Sequence, residues 1–318
     1  MLLGHSRTLD SRPRAAGCQN PVVRVVMSGA SGLIGPALVS ALRAEGHEVL
    51  RLVRRHAEGA DERGWDPASG VLDSAHLEGV DAIVNLSGAN LDQRWTERAK
   101  REILESRTMT TALLAATAAE LEPRPSAFVC AGGAGVYGNR GDEILTEESE
   151  PGGGFLAEVM RETEAAAAPA REAGIRVVNF RQGIVLSRHG GALKRMLPFF
   201  RFGLGGPVGG GGQWWSWVSL ADVVSAYQLV LASEVAGPIN LAAPNPVTSR
   251  QFAKALGTAL RRPAVMPAPA FAVRLLFGEK GEEVLLFGQR ALPARLVDAG
   301  FEFSAPTIDV ALEQALAE

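Results

Sequence analysis

Cysteine is almost absent: Cys18 and Cys130 are the only two in 318 residues, far apart and outside any Cys-x-x-Cys or Cys/His spacing. That argues against a disulfide framework and a zinc site, and it fits a reducing compartment, so a cytoplasmic protein is expected. Strong charge of either sign is also missing. A formal net charge of -3, with 21% charged residues, sets up no field that would draw nucleic acid or an anionic membrane, so neither is expected as a partner. No apolar run reaches the roughly 18 to 20 residues that span a bilayer, because Arg, Glu and Gly interrupt each candidate. Tyrosine is scarce, with Tyr137 and Tyr227 alone. What is plentiful is apolar material, 47% of the chain, enough to bury the core of one large or two ordinary domains.

Residues 1–21 hold Arg7, Arg12 and Arg14 with little apolar patterning and read as a mobile extension. From Val22 short β-branched runs alternate with longer helical ones. Strands are expected at Val22–Met27, Glu48–Val53, Asp81–Leu86, Ala127–Ala131 and Ile175–Arg181. Helices are expected over Leu33–Ala44, Glu97–Ala119 and Phe155–Glu172, the last bent by Pro169. Strands and helices alternating in this way make an α/β fold with a doubly wound parallel sheet. After Ser187 the texture changes to a glycine-rich stretch, the cluster Trp214-Trp215-Ser216-Trp217 and rising proline density. A dinucleotide-binding domain over residues 22–186, to which residues 219–245 return, is therefore expected beside a smaller C-terminal substrate region over residues 187–318. At least one of the tryptophans is expected to line a pocket. Asp222 is expected to cap or brace the helix that follows it, and Thr248-Ser249-Arg250-Gln251 reads as a capping box.

The strongest local signal is Gly29-Ala30-Ser31-Gly32-Leu33-Ile34-Gly35, placed directly after a β-run and opening an amphipathic helix. The first glycine allows a tight turn, the second lets backbone amides approach a pyrophosphate, and the third lets helix and strand pack closely. This is the pattern of a Rossmann-type nucleotide site. The end of the second strand selects the dinucleotide. An acid there would take the ribose 2′-OH of NAD, but Arg51, Arg54 and Arg55 stand there with no Asp or Glu before Glu58. A 2′-phosphate is the expected guest, hence NADP, with Arg54 the first choice to grip it and Arg55 the second.

With these residues the chain resembles the extended short-chain dehydrogenase/reductase superfamily, and more closely its NAD-dependent epimerase-like branch of poorly characterised proteins. The resemblance runs from Val22 to the C-terminus. It is carried by the glycine loop, Asn85-Leu86-Ser87-Gly88-Ala89-Asn90, Arg94-Trp95-Thr96 with Ser106-Arg107, Gly135-Val136-Tyr137-Gly138, Phe155-Leu156-Ala157-Glu158 and Arg181-Gln182-Gly183-Ile184-Val185-Leu186. Further along, Gly203-Leu204-Gly205-Gly206, Gln213 with Ser216-Trp217, and Asn240-Leu241-Ala242-Ala243-Pro244-Asn245-Pro246 carry it too. It implies that Asn85, Leu86, Ser87 and Gly88 lie over the adenine-ribose side of the cofactor and that Gly183, Ile184 and Val185 lie near the nicotinamide. Arg107 joins this cofactor set.

Chemistry in that superfamily depends on a Ser or Thr and on a Tyr-x-x-x-Lys pair, in which the lysine lowers the tyrosine pKa. Here the run Cys130-Ala131-Gly132-Gly133-Ala134 lacks a hydroxyl where the serine would stand, and Phe155-Leu156-Ala157-Glu158-Val159 offers neither phenol nor ammonium. Tyr137, Glu158, Arg107, Lys194 and Asp222 are the substitutes near the cleft; Tyr137 and Glu158 are the choices for proton transfer. Two readings follow. One is an NADP-dependent oxidoreductase or epimerase acting on a small, sugar-like carbonyl or alcohol. The other is a catalytically silent NADP(H)-sensing regulatory or scaffold protein. The expected partners are a small-molecule substrate and a second copy in a homodimer; no metal is expected.

Overall fold

The computed structural model describes residues 23–318, so the expected N-terminal extension, Cys18 and Val22 lie outside the described residues. In Arg24–Ser28 (β1) Val25 and Met27 pack on one side and Val26 on the other, all three fully buried. A strand apolar on both faces is satisfied only between two layers of helix, as in a parallel sheet. Six more strands complete it: Glu48–Val53 (β2), Glu62–Gly64 (β3), Ala82–Asn85 (β4), Ala127–Gly133 (β5), Arg176–Gln182 (β6) and Gly237–Leu241 (β7). Their order is β7-β6-β5-β4-β1-β2-β3, with every neighbouring pair parallel. The winding reverses between β1 and β4, and the carboxyl ends of these two strands open the crevice in which such sheets hold ligands.

The helices, in chain order, are Gly35–Ala44 (α1), Glu97–Glu120 (α2), Phe155–Ala165 (α3), Ala168–Glu172 (α4), Gly191–Arg201 (α5), Leu220–Leu231 (α6), Ser249–Leu260 (α7), Ala270–Gly281 (α8), Ala294–Asp298 (α9) and Ile308–Ala317 (α10). α1 and α6 cover one face of the sheet, where Leu38, Leu42, Val223 and Tyr227 meet Val25, Val84 and Phe180. α2 and α4 cover the other with Leu114, Ala115, Ala118 and Ala170 against Val26, Ile83 and Phe128. A separate core joins α5, α7 and α10 through Leu193, Leu197, Phe252, Leu256 and Leu312.

Several expectations are corrected. The single helix Phe155–Glu172 is two, broken at Ala166-Ala167, and Pro169 lies in the first turn of α4, where its missing N–H has no intrahelical partner to lose. Ser219, not Asp222, caps α6: its hydroxyl accepts from the Asp222 N–H at 3.0 Å. Asp222 braces a different segment, accepting from the N–H groups of Ser304 at 2.7 Å and Ala305 at 3.2 Å. Trp215 and Trp217 are core residues, which leaves the half-buried Trp214, whose Nε1–H donates to Asp142 at 2.7 Å, as the tryptophan still placed to line a pocket. The capping box forms, with Thr248 and Gln251 each bonded to the other's backbone. Among the described residues no helix is long and apolar enough to cross a membrane.

Candidate cofactor site

At the end of β1 the chain turns through Gly29, whose φ is +69°. A Cβ there would sit 2.5 Å from the Leu86 carbonyl carbon, so only glycine lets the loops after β1 and β4 touch. A Cβ on Gly35 would come 2.2 Å from the Ala30 oxygen, which fixes the seating of α1 on the loop. Gly32 has open space around it: the nearest atom to its would-be Cβ is the Gly29 oxygen at 3.4 Å. No side chain caps α1, its first turn holds Pro36 and no acid, and the Ile34 N-cap offers no acceptor. The positive end of this helix is left for an exogenous anion. Leu33 leans away onto Gly190 and Gly191, which ties the loop to the start of α5.

Beyond β2 the acids are consumed by arginines. Arg51 Nε and Nη2 donate to Asp61 at 2.8 and 3.0 Å, and Arg43 also pairs with Asp61. These partners, Arg51 first, hold the Asp61 carboxyl well below the usual carboxylate range. Glu62 is held at about 2, first by the Glu58 N–H and then by Arg55. Arg55 Nη2 donates to Glu62 at 2.7 Å, so this guanidinium, unlike that of Arg54, already has a carboxylate partner. Arg54 is exposed and has no side-chain partner among the described residues.

The Asn85 side chain is also spent internally. It is buried; its Oδ1 accepts from Ser28 Oγ at 2.7 Å and from the Ser87 N–H at 3.0 Å, while Nδ2 donates to Thr111 Oγ1 at 2.9 Å. Asn85 therefore shapes the loop rather than presenting its amide to a cofactor. Leu86, Ser87 and Gly88 continue from it past Gly29. Arg107, from α2, lies against Gly88: Nη1 donates to the Ile103 carbonyl at 3.0 Å and Nη2 to the Ala89 carbonyl at 3.1 Å. Burial pulls its pKa down to about 10. It remains a cation at neutral pH, and carbonyls are its only partners among the described residues, an arrangement that an anionic ligand would stabilise. On the far side of the crevice, Gly183 donates to the Leu241 carbonyl at 3.0 Å, and a Cβ on it would lie 2.7 Å from the Ser216 oxygen. Ile184–Leu186 pairs in parallel with Trp217–Ser219, which leaves Ile184 and Val185 half-buried.

The two residues expected to move a proton stand in opposite surroundings. Tyr137 is fully buried; its hydroxyl lies 2.7 Å from Asn240 Oδ1 and 2.9 Å from the Thr146 carbonyl, and accepts from Arg181 Nη1 at 3.1 Å. Burial pushes its pKa up. It is a strut between distant segments, with its hydroxyl saturated. Glu158 is exposed on α3, and its carboxylate has no partner among the described residues. A serine side chain has no room at Gly132, where a Cβ would meet the Phe180 oxygen at 2.8 Å. The start of α3 is instead occupied by Glu283, a buried residue: Phe155 N–H donates to Oε1 at 2.7 Å and Leu156 N–H to Oε2 at 2.8 Å. Beside it Lys100 Nζ stands 4.7 Å over the Phe155 ring and pairs with Glu279 at 2.9 Å. Lys280 and Arg195 both pair with Asp92, joining α8 and α5 to the loop after β4.

The model of the NAD dependent epimerase/dehydratase family matches residues 25–242. The chain belongs to that family. Residues 268–315 match a domain of unknown function, DUF1731, so family membership and the C-terminal segment are described by separate models. An epimerase family protein of Mycobacterium leprae is 44% identical over 293 residues, covering 92% of this chain and 95% of the relative. The crystal structure of human epimerase family protein SDR39U1 with NADPH matches with a TM-score of 0.85 and 35% identity, covering 93% of this chain and 99% of that one. A nucleoside-diphosphate sugar epimerase from Corynebacterium glutamicum matches with a TM-score of 0.75 and 36% identity, over 93% of this chain and 58% of that one. Glu283 lies in the C-terminal match, far in sequence from the helix it caps. Nothing local signals it: it is one of three acids in Glu279-Lys280-Gly281-Glu282-Glu283, and only the folded chain distinguishes it from the other two.

Proposed function

We propose that this epimerase-family protein is an NADP(H)-dependent oxidoreductase or epimerase that acts on a small, sugar-like carbonyl or alcohol in the reducing cytosol. The observation that carries the reading is the open corner at α1, where an acid-free, uncapped helix start stands at the end of β1 and the unpaired Arg54 follows β2. The diphosphate would rest on the amides of the glycine loop, and Arg54 would hold the 2′-phosphate as a charge-assisted pair. Residues 22–186 with 219–245 would form the cofactor side, and the rest of residues 187–318 the substrate side. Bound nicotinamide supplies the hydride chemistry. Leu86, Ser87, Gly88, Ile184 and Val185 would orient it, and Arg107 would offer positive charge to an anionic group beside Gly88.

The relative from human was crystallised with NADPH, which supports this choice of dinucleotide. The test is calorimetric titration with NADPH and NADH. NADPH should bind more tightly, and Arg54→Ala should weaken NADPH about tenfold or more while leaving NADH unchanged. Equal loss for both nucleotides, or none, would remove the 2′-phosphate reading. Stopped-flow loss of NADPH absorbance over a carbonyl panel tests turnover.

A second reading, an NADP(H)-sensing regulatory or scaffold protein, is favoured by Glu283 filling the first turn of α3, where the superfamily's Tyr-x-x-x-Lys would begin. It requires that the oligomeric state or a partner's affinity differ between the NADP+, NADPH and nucleotide-free forms. Turnover with any substrate class would set this reading aside.

A further inference from the structure

Net charge conceals a sharp local asymmetry. Residues 188–221 carry Arg188, Lys194, Arg195 and Arg201 and no acid; residues 235–278 carry Arg250, Lys254, Arg261, Arg262 and Arg274 and again no acid. The fold lays these two stretches side by side. Met266 N–H donates to the Gly205 carbonyl at 3.1 Å, Ala268 N–H to Pro207 at 2.9 Å, and Arg262 Nε to the Arg201 carbonyl at 3.1 Å. Lys254, Arg261 and Arg262 are exposed and form no ion pair among the described residues. They line a cavity of about 340 Å³ together with Thr258, Ala264 and Val265.

Large apolar side chains on the same two stretches face water, Val265 in the cavity itself and Phe202 next to Arg201, whose carbonyl Arg262 holds. Phe202 is 81% exposed, Val265 76% and Leu275 82%; Leu204, Met266, Phe271 and Leu276 are also more than half exposed. Phe271 and Leu275, one turn apart, share a side of α8, which starts just beyond the Ala268 contact, and Leu276 stands about 100° further round the helix. Apolar residues gathered in this way on a protein surface mark an interaction site. Their association with unpaired cations selects the partner. A second copy packed on the same face would set this acid-free basic surface against an equally acid-free one, which like-charge repulsion disfavours. A nucleic acid would satisfy the cations and could stack on Phe202 and Phe271, but it would leave the aliphatic Leu204, Val265, Met266 and Leu275 facing water, since stacking uses aromatic faces. An anionic lipid surface satisfies both sets at once, with phosphates for the cations and the acyl boundary for the apolar tips.

We propose that this basic, apolar ridge seats reversibly on an anionic phospholipid surface, with a headgroup phosphate held between Lys254, Arg261 and Arg262. The contact is peripheral. It departs from the expectation drawn from net charge because a field is set by where charges lie: of the nine cations on these two acid-free stretches, Arg195 pairs with Asp92 and Arg274 with Glu282, and the other seven have no ion pair among the described residues.

The test is co-sedimentation of the full chain with vesicles of phosphatidylcholine alone, or of phosphatidylcholine mixed equally with phosphatidylglycerol. Binding is expected to the anionic vesicles alone, and about 0.5 M salt should release most of it. Arg261→Glu with Arg262→Glu should cut it about tenfold or more, and so should Phe202→Asp with Leu275→Asp. Each of these side chains is exposed, so the unfolding midpoint of both variants should stay within about 2 °C of the parent. Inorganic phosphate is the second probe: phosphate that protects the chain thermally while anionic vesicles fail to bind would make the cavity a free-anion site and overturn the proposal. No vesicle binding, equal binding to neutral vesicles, or binding unaffected by either pair of substitutions would also overturn it. So would concentration-dependent dimerisation abolished by Phe202→Asp, which would give the ridge to a second copy.

Discussion

Two helices of this molecule begin in loops that follow strands of the same sheet, α1 after β1 and α3 after β5, and their first turns are treated in opposite ways. At α1 the chain supplies glycines, a proline and no acid, and leaves the positive end bare. At α3 it also supplies no local cap, since Gly154 precedes the helix with φ +107° and has no side chain to offer. There the vacancy is filled from 128 residues away by both oxygens of Glu283. A buried carboxylate is costly to desolvate unless its oxygens are bonded, and two amide N–H groups at a helix start compensate it. Glu283 thus does for α3 what a diphosphate would do for α1. The fold reserves binding capacity at one corner only: the nucleotide corner stays free for an outside anion, while the corner that acid–base chemistry would use is closed by the protein's own side chain.

Closing the open corner should have the largest effect. Gly35→Val places a branched side chain where even a Cβ would lie 2.2 Å from the Ala30 oxygen, so the loop must lift off α1. NADPH affinity measured by calorimetry should fall about 100-fold, equivalent to about 2.7 kcal/mol, together with a lower unfolding midpoint. Parent-like affinity would place the diphosphate somewhere other than α1. Opening the closed corner is next in size. Glu283→Ala strands two amides, each costing about 1–3 kcal/mol when buried and unbonded, and thermal unfolding should show a loss of about 2–4 kcal/mol while NADPH affinity changes by less than about threefold. Glu283→Gln, which keeps one acceptor oxygen, should fall between. A large loss of nucleotide affinity in Glu283→Ala would mean that the two corners are coupled.

How far these corners were legible in the sequence follows from what holds each one. The α1 corner is built from seven consecutive residues acting through their backbone, so spacing alone exposes it. β2 was legible at both ends because Val49, Leu50, Leu52 and Val53 make a short apolar run, interrupted only by Arg51, between a Gly-His turn and two arginines. β3 was not: it is three residues long, Glu62-Arg63-Gly64, and owes its place to the ladder with β2 rather than to any apolar pattern. α8 escaped notice because apolar residues fall on all its sides, which erases helical periodicity. Side chains whose roles depend on distant partners were illegible. Asn85 pairs across 57 residues with Ser28, and Tyr137 across 103 with Asn240, so a polar group near a strand end reads equally as a ligand or as a brace.

Tyr137 sharpens the comparison at a smaller scale, because it lies in the same loop region as α3 yet faces inward. Tyr137→Phe keeps the ring in its core and removes the hydroxyl from Asn240, Thr146 and Arg181. The expected cost is about 1–2 kcal/mol of stability, the price of leaving buried polar groups with one partner fewer. Any NADPH-dependent turnover should be unchanged. A loss of turnover of about 100-fold or more with stability intact would return this phenol to the chemistry.

The smallest expected effect lies at the edge of the open corner, in the carboxylate that occupies Arg55. Glu62 has its folded pKa lowered to about 2, first by the Glu58 N–H and then by Arg55. For a group depressed on folding, the contribution to stability is fully present above the unfolded pKa of about 4.3 and is lost as pH falls through the folded value. The unfolding midpoint of the parent should therefore drop more steeply than that of Glu62→Gln between about pH 5 and pH 2. At neutral pH the same substitution removes the charge that holds Arg55 at 2.7 Å. Arg55 then becomes a second guanidinium free to meet a 2′-phosphate, so Glu62→Gln should tighten NADPH by about two- to fivefold without affecting NADH. Unchanged NADPH affinity with the pH shift intact would show that Arg55 stands too far from the phosphate to matter, and would leave Arg54 as the reader of the nucleotide.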